Sequence, residues 1–202
     1  MSPVVGGSER MAKKKYSIEE VISQATDLFW SQGYSATSIQ HISKKTGLKP
    51  GSLYNEFGNK EGVFRMALES YANHSIEEIH TAVQKTGSAI KGIEHILSEL
   101  IEQTEESPYC GCFLVKSQLE LSALDDDLQF LATDKLQVIE QTYCHHLEST
   151  FSTSEAQNYA HQLMMVIFGI RVYGYQKNSS EVLTDSIQRF LPWLVDAKSG
   201  VR

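Results

Sequence analysis

The sequence predicts an all-α protein of about nine helices, and three observations predict it. Apolar residues recur at three- and four-residue spacing from Ser17 almost to the end of the chain. No stretch of the 202 residues sustains the alternation expected of a half-buried strand. Helix-start residues (Ser17, Thr37, Asn59) and helix-stop residues (Gly33, Gly47) punctuate the apolar runs. There is no internal repeat and no low-complexity tract.

The elements follow in order. Ser17-x-x-Glu20 reads as a capping box for a first helix in which Ile18, Val21, Ile22, Ala25, Leu28 and Phe29 share a face, and Gly33 ends it. Thr37-x-x-Gln40 reads as a second capping box, with Ile39 and Ile42 inside the helix and Gly47 at its end. The stretch TGLKPGSLYNEF opens in turn vocabulary and continues with Leu53, Tyr54 and Phe57 at helical spacing. It predicts a very short helix started by Pro50 and Gly51. Asn59 caps a fourth helix carrying Val63, Phe64, Ala67, Leu68, Tyr71 and Ala72. Longer amphipathic segments cover 88–106, stopped by Ser107-Pro108, then 110–122, 126–151 and 154–177. A last one covers 180–197, where Pro192 either kinks or ends the helix.

The 41% apolar content supports a packed core, and no apolar run approaches the ~18 residues of a membrane span. The amino terminus lacks the apolar centre of a signal peptide. Three cysteines do not make a disulfide framework and read as reduced thiols. These features exclude a disulfide-stapled scaffold and a membrane-spanning protein, and the expected location is cytoplasmic. Residues 1–13 read as a disordered amino-terminal extension, with Met11 placed to open the native chain. The net charge of −7 is uneven. Residues 11–61 carry seven Lys/Arg against five Asp/Glu, whereas residues 62–202 carry ten against nineteen. A split of this kind suggests that the first end meets a polyanion.

Helix, glycine, helix, glycine turn and short helix, within the first ~65 residues, is a helix-turn-helix arrangement. A short αα-hairpin inside a bundle gives the same pattern. The residues themselves are more specific. FWSQGYSATSIQHISKKTGLKPGSLYNEFGNKEGVFRMAL resembles the amino-terminal domain of the TetR/AcrR family of bacterial transcriptional regulators. The resemblance is carried by Phe29, Gly33-Tyr34, Thr37, Ile39 and Ile42, Gly47, Gly51-Ser52-Leu53-Tyr54, Phe57, Lys60-Glu61 and Leu68. It covers residues 14–74 strongly. Beyond them only length and helix pattern match.

The resemblance implies a DNA-binding domain over 14–74 and an effector-binding and dimerisation domain over 75–202. The implied DNA-contacting residues are Thr37, Ser38, Lys49, Pro50, Gly51, Ser52, Tyr54, Asn55 and Lys60. Physical chemistry gives each a task. Thr37 at a helix N-cap leaves first-turn N–H groups for a phosphate oxygen. Lys49, Ser52 and Asn55 stand where the recognition helix begins, and Asn can bridge adenine while Lys reaches guanine. Gly51 permits close backbone approach. Tyr54 has a ring to pack and a hydroxyl for phosphate, and Lys60 opens the next helix beside the same backbone. Lys13 to Lys15 form a basic arm suited to phosphate or the minor groove. Glu56 stands in a neighbourhood where many family members carry a His.

For the other two-thirds, the resemblance implies a homodimer on a double-stranded operator, most often a repressor released by a small-molecule effector. It implies no enzyme activity, no cofactor and no metal. AHQLMMVIFGIRVYGYQ is apolar around most of its circumference, as a helix buried by its own domain and by a partner would be. Gly169 and Gly174 would allow close helix approach. Candidates for the effector pocket are Phe64, Ile93, Leu97, Phe113, Phe130, Met164, Met165, Phe168 and Tyr173, an apolar and aromatic set suited to an apolar or flat ligand. Cys112, with Cys110, sits at an expected helix N-terminus, which lowers a thiol pKa, and Lys116 one turn on would favour thiolate. A redox signal is therefore the second expected input. The alternative reading is a helical small-molecule-binding protein or enzyme that kept this fold without binding DNA.

Overall fold

The computed structural model describes residues 16–106, 111–122 and 126–194. They form nine α-helices and no strand. The helices are α1 (Ile18–Gln32), α2 (Ile39–Thr46), α3 (Pro50–Phe57), α4 (Lys60–Thr86), α5 (Ala89–Glu102), α6 (Phe113–Leu121), α7 (Asp126–Leu147), α8 (Thr153–Tyr173) and α9 (Ser180–Phe190), with a 3₁₀ turn at Gln103–Glu105. Lys13 to Lys15, Cys110 and the expected stop at Ser107-Pro108 lie outside the described residues.

Local chemistry sets most boundaries. The Ser17 hydroxyl accepts from the Glu20 N–H, although the Glu20 carboxylate takes the Gln24 amide instead of closing a full box. Asn59 accepts from the Gly62 N–H at 2.8 Å and opens α4. Ser152 and Glu155 form a reciprocal capping box on α8. At the end of α9 the helix stops at Phe190, before Pro192, so the proline ends the helix and does not kink it. The second capping box moves by one residue. Ser38, not Thr37, caps α2, and its partner is His41, not Gln40. Thr37 is buried and its hydroxyl donates to the Gly33 carbonyl at 2.7 Å.

The helix α4 is 27 residues long without interruption, so the expected boundary at 74/75 falls inside it. It packs against α1 at its start and against α5 and α7 further on. An aromatic chain joins the first helices to α6. Phe29 meets Phe64 edge-on at 4.9 Å, Phe64 meets Phe113 at 5.7 Å, and Tyr71 meets both Phe113 and Trp30. Edge-to-face pairs of this kind add about 1 kcal/mol each to the burial of the rings. A second aromatic group, Phe151, Tyr159 and Trp193, pins the segment after α9, with the Trp193 indole donating to Gln162.

Where α4 meets α7, His80 Nδ1 and His146 Nε2 lie 2.8 Å apart, with the His145 ring beside them. Desolvation first, then His80 and His145, hold His146 below its ordinary 6.5. The unfolded chain therefore takes the proton first on acidification. The stability carried by the neutral ring is complete above pH 6.5 and is lost as pH falls through the lower native value. His146→Gln is expected to flatten the acid side of a thermal-midpoint profile. An unchanged profile would show that this ring is not linked to folding.

Candidate nucleic-acid interface

The unit formed by α2, the turn and α3 is built from backbone geometry outward. Gly47 adopts φ 73°, a left-handed conformation that a side chain disfavours, and its N–H closes on the Ser43 carbonyl. The Ser43 hydroxyl donates to the Leu48 carbonyl at 2.6 Å, and the Leu48 N–H donates to the Thr46 hydroxyl. Ile42 and Leu53 are fully buried and hold the two helices together. Phe57 is buried at the far end of α3. An eight-residue helix is marginal alone, so these apolar contacts fix where α3 points.

The residues left outside form one polar surface. Lys49, Pro50, Gly51, Tyr54 and Asn55 are exposed, and Ser52 is half-buried. Lys49 is the N-cap of α3 and makes no side-chain capping bond. Gly51 has open space where a Cβ would stand. Gln40, His41, Lys44 and Lys45 of α2 are exposed as well, the two lysines at its carboxyl-terminal end, where positive charge is favourable. Ser38 lies at the start of that helix. Tyr54 is 51% exposed, so its ring is not packed inward as the sequence suggested. The Lys60 ammonium donates to the Tyr34 carbonyl at 3.0 Å and lies 4.0 Å from the Tyr34 ring centre. It ties the start of α4 to the loop before α2. The Glu56 carboxylate accepts from the Tyr16 hydroxyl, which anchors α3 to the chain entering α1.

Two side chains of α6 hold the back of this unit, and sequence reasoning missed their partners. Glu120 accepts from the Tyr34 N–H at 2.9 Å with one oxygen and from the Ser35 N–H at 2.8 Å with the other. Lys116 donates to the Trp30 carbonyl at 2.6 Å. Lys116 is thus committed to the end of α1, not to a thiolate at Cys112. The only signal in the sequence was the run KSQLE, which places Lys116 and Glu120 four residues apart on one helix face.

The pocket candidates scatter. Phe64, Ile93 and Phe113 are fully buried core. Leu97 borders a surface cleft between α5 and α9. Met165 and Tyr173 line an open cleft of about 610 Å³ between α8 and α9. Phe130, expected to face inward, is 64% exposed, because it lies on the opposite side of α7 from the buried stripe Leu128, Ala132, Leu136 and Ile139. Met164 and Phe168 line a small, half-open pocket of about 60 Å³ walled by α4, α5, α7 and α8 and also touched by Cys112. Gly174 does approach another element closely, but that element is its own chain at Thr104. Gly169 has open space beside it.

Residues 21–67, which contain α2, the turn and α3, match the family described as bacterial regulatory proteins, tetR family. These residues carry a tetR-family amino-terminal domain. Among curated TetR-family relatives, it is 31% identical over 120 residues to the HTH-type transcriptional repressor ComR of Escherichia coli, covering 57% of this chain and 56% of that one. The chain therefore spans little more than half the length of that relative. It is 24% identical over 176 residues to the IcaR negative regulator of the biofilm operon icaADBC in Staphylococcus epidermidis, covering 85% of this chain and 91% of that one. Among solved structures, SCO4454 of Streptomyces coelicolor superposes with a TM-score of 0.74 at 14% identity, covering 87% of this chain and 86% of that one. A cysteine-substituted CifR in complex with 26-base-pair operator DNA superposes at 0.68 with 23% identity, covering 90% of this chain and 98% of that one. These likenesses place the all-α architecture of both parts in the TetR fold.

Proposed function

We propose that this protein is a DNA-binding transcriptional regulator, a repressor that leaves its operator when a small molecule or a redox change reaches its carboxyl-terminal helices. The observation that carries the reading is the short helix α3, pinned by Leu53 and Phe57 and offering Lys49, Ser52, Tyr54 and Asn55 outward. Such a helix suits the major groove, with α2 crossing the backbone. The names of the relatives, repressors of transcription, and the operator complex of CifR support it. Ser38 takes the capping duty first given to Thr37, so its first-turn N–H groups are the ones suited to a phosphate.

The protein acts as a homodimer through α8 and α9. These helices expose Met165, Val172, Val182 and Phe190, each at least half accessible, and Met165, Val182 and Phe190 line the open cleft between them, an apolar surface suited to a partner's helices. The DNA-binding part is residues 14–74 and the effector and dimerisation part 75–202, joined through the unbroken α4. No described helix is long and apolar enough to cross a membrane, and a regulator of DNA belongs in the cytoplasm. The protein is not an enzyme in this reading.

A gel-shift series against the DNA upstream of its own gene tests it. Wild type should give a sequence-selective, salt-dependent shift. Asn55→Ala is expected to lose about 1–3 kcal/mol of discrimination at one base position. Lys45→Ala should weaken all sequences alike and reduce the salt slope by about 1. Absence of any selective shift would sink the regulator reading and favour a ligand-binding protein that kept only the fold.

A further inference from the structure

One acid stands on the unit that is expected to meet a polyanion. Between Asp27 and Glu61 the chain holds a single Asp or Glu, Glu56, against Lys44, Lys45, Lys49 and Lys60. Glu56 lies near the end of α3, the helix that offers Lys49, Tyr54 and Asn55 outward. A carboxylate there repels DNA phosphate, so its place needs a local cause. The cause is Tyr16. The Tyr16 hydroxyl donates to Glu56 Oε2 at 3.3 Å and joins positions 40 apart in the chain. A hydroxyl on a carboxylate is a charge-assisted bond, stronger than a neutral pair. The Tyr16 ring is half-buried and packs against the core. The chain therefore enters α1 alongside α3, held there by an apolar ring and one polar bond.

What precedes Tyr16 gives that contact a task. Residues 13, 14 and 15 are all lysine. A chain advances at most ~3.6 Å per residue, so their backbone stays within about 11 Å of Tyr16 whatever course it takes. The major groove is about 12 Å wide. With α3 in that groove, the three ammonium groups are confined to the neighbourhood of the flanking phosphates. Charges confined beside their target lose less freedom on binding than charges on an untethered chain.

We propose that Glu56 is a positioning residue. Through the Tyr16 hydroxyl it holds the entry to α1 against α3, and so places Lys13, Lys14 and Lys15 on the DNA backbone beside the groove that α3 reads. The inference rests on the reading of α3 as the recognition helix. Glu56 itself reads no base. Its negative charge is offset by the three positive charges it brings to the same place.

The test uses the full chain, a duplex from upstream of its own gene and a random-sequence duplex of equal length. Binding is measured across a salt series, where each phosphate contact adds about 0.9 to the slope on B-DNA. Replacing Lys13, Lys14 and Lys15 together by alanine should lower the slope by about 2–3 in an otherwise wild-type chain. In Tyr16→Phe or Glu56→Ala, which lack the bond, the same triple replacement should lower it by less than about 1. Tyr16→Phe keeps the packed ring and should melt within about 4 °C of wild type. Glu56→Gln still offers an oxygen to the Tyr16 hydroxyl, so the full slope loss should return there, with base preference unchanged. The same slope loss in all four backgrounds, no loss in any of them, or a base preference altered by Glu56→Gln would each overturn the proposal. The random duplex separates the two readings. The expected slope pattern without any selective complex would sink the regulator alone, whereas a selective complex with equal slope losses would sink the positioning role alone.

Discussion

Gly62→Ala is expected to cost about 3–4 kcal/mol and to lower the thermal midpoint by roughly 10 °C. Gly62 sits in the first turn of α4, where its N–H meets the Asn59 cap. A Cβ there would be driven into the Phe57 backbone carbonyl. The obstacle is backbone, so no rotamer change relieves it, and the joint between α3 and α4 must open. Because that joint orients α3, operator affinity should fall by more than the loss of folded protein explains. Gly51→Ala makes the contrast. Gly51 has a helical setting and open space around it, so the fold should tolerate the methyl group or gain slightly from it. Any lost DNA binding in that variant would report clearance in the groove. Thermal melts and gel shifts on both variants check the pair. If Gly62→Ala melts like wild type, the tight joint is not what sets the position of α3.

Glu120→Ala should destabilise the chain by about 2 kcal/mol, roughly 4–8 °C in thermal midpoint. One carboxylate satisfies two backbone N–H groups, Tyr34 and Ser35, and hydrogen bonds to a charged acceptor are the stronger kind. The loss should appear as faster amide exchange at Tyr34 and Ser35 before it appears elsewhere. Gly33→Ala should reproduce part of it, since a Cβ at Gly33 would meet the Glu120 carboxylate at 2.7 Å and its φ of +88° disfavours a side chain. In a regulated protein, Glu120→Ala is also expected to hold its operator when effector is added. Ordinary effector release by Glu120→Ala would show that α6 does not transmit the signal through this grip.

The sequence made the short-range features legible because their causes are short-range. Asn59 and Gly47 act on backbone groups within three or four residues, and both do what their types dictate. The choice between Thr37 and Ser38 was not legible. Both carry hydroxyls, and the decision depends on Thr37 being buried under the Gly33 carbonyl. Phe130 was legible and misjudged. Leu128, Ala132, Leu136, Ile139, Tyr143 and Leu147 keep one helical phase, and Phe130 stands two residues, about 200°, off its start. The partners of Glu120 and the walls of the pocket were out of reach. The Glu120 partners lie 85 and 86 positions away, the pocket joins four separate helices, and the relative rotation of packed helices decides both.

The unbroken run of α4 makes it a rigid rod of about 40 Å, at 1.5 Å per residue. Its middle, from Tyr71 to Ile79, lines the pocket shared with α5, α7 and α8, and its near end carries the joint to α3. A tilt of about 5° pivoting at the far end would swing the near end by about 3.5 Å, from the rod's length alone. In a two-fold dimer the two swings add. Measured against half-sites about 34 Å apart, a change of about 7 Å puts at least one reading head out of step with its groove. A tilt of a few degrees thus has enough leverage, through the length of one helix, to make the difference between a matched and a mismatched pair of contacts.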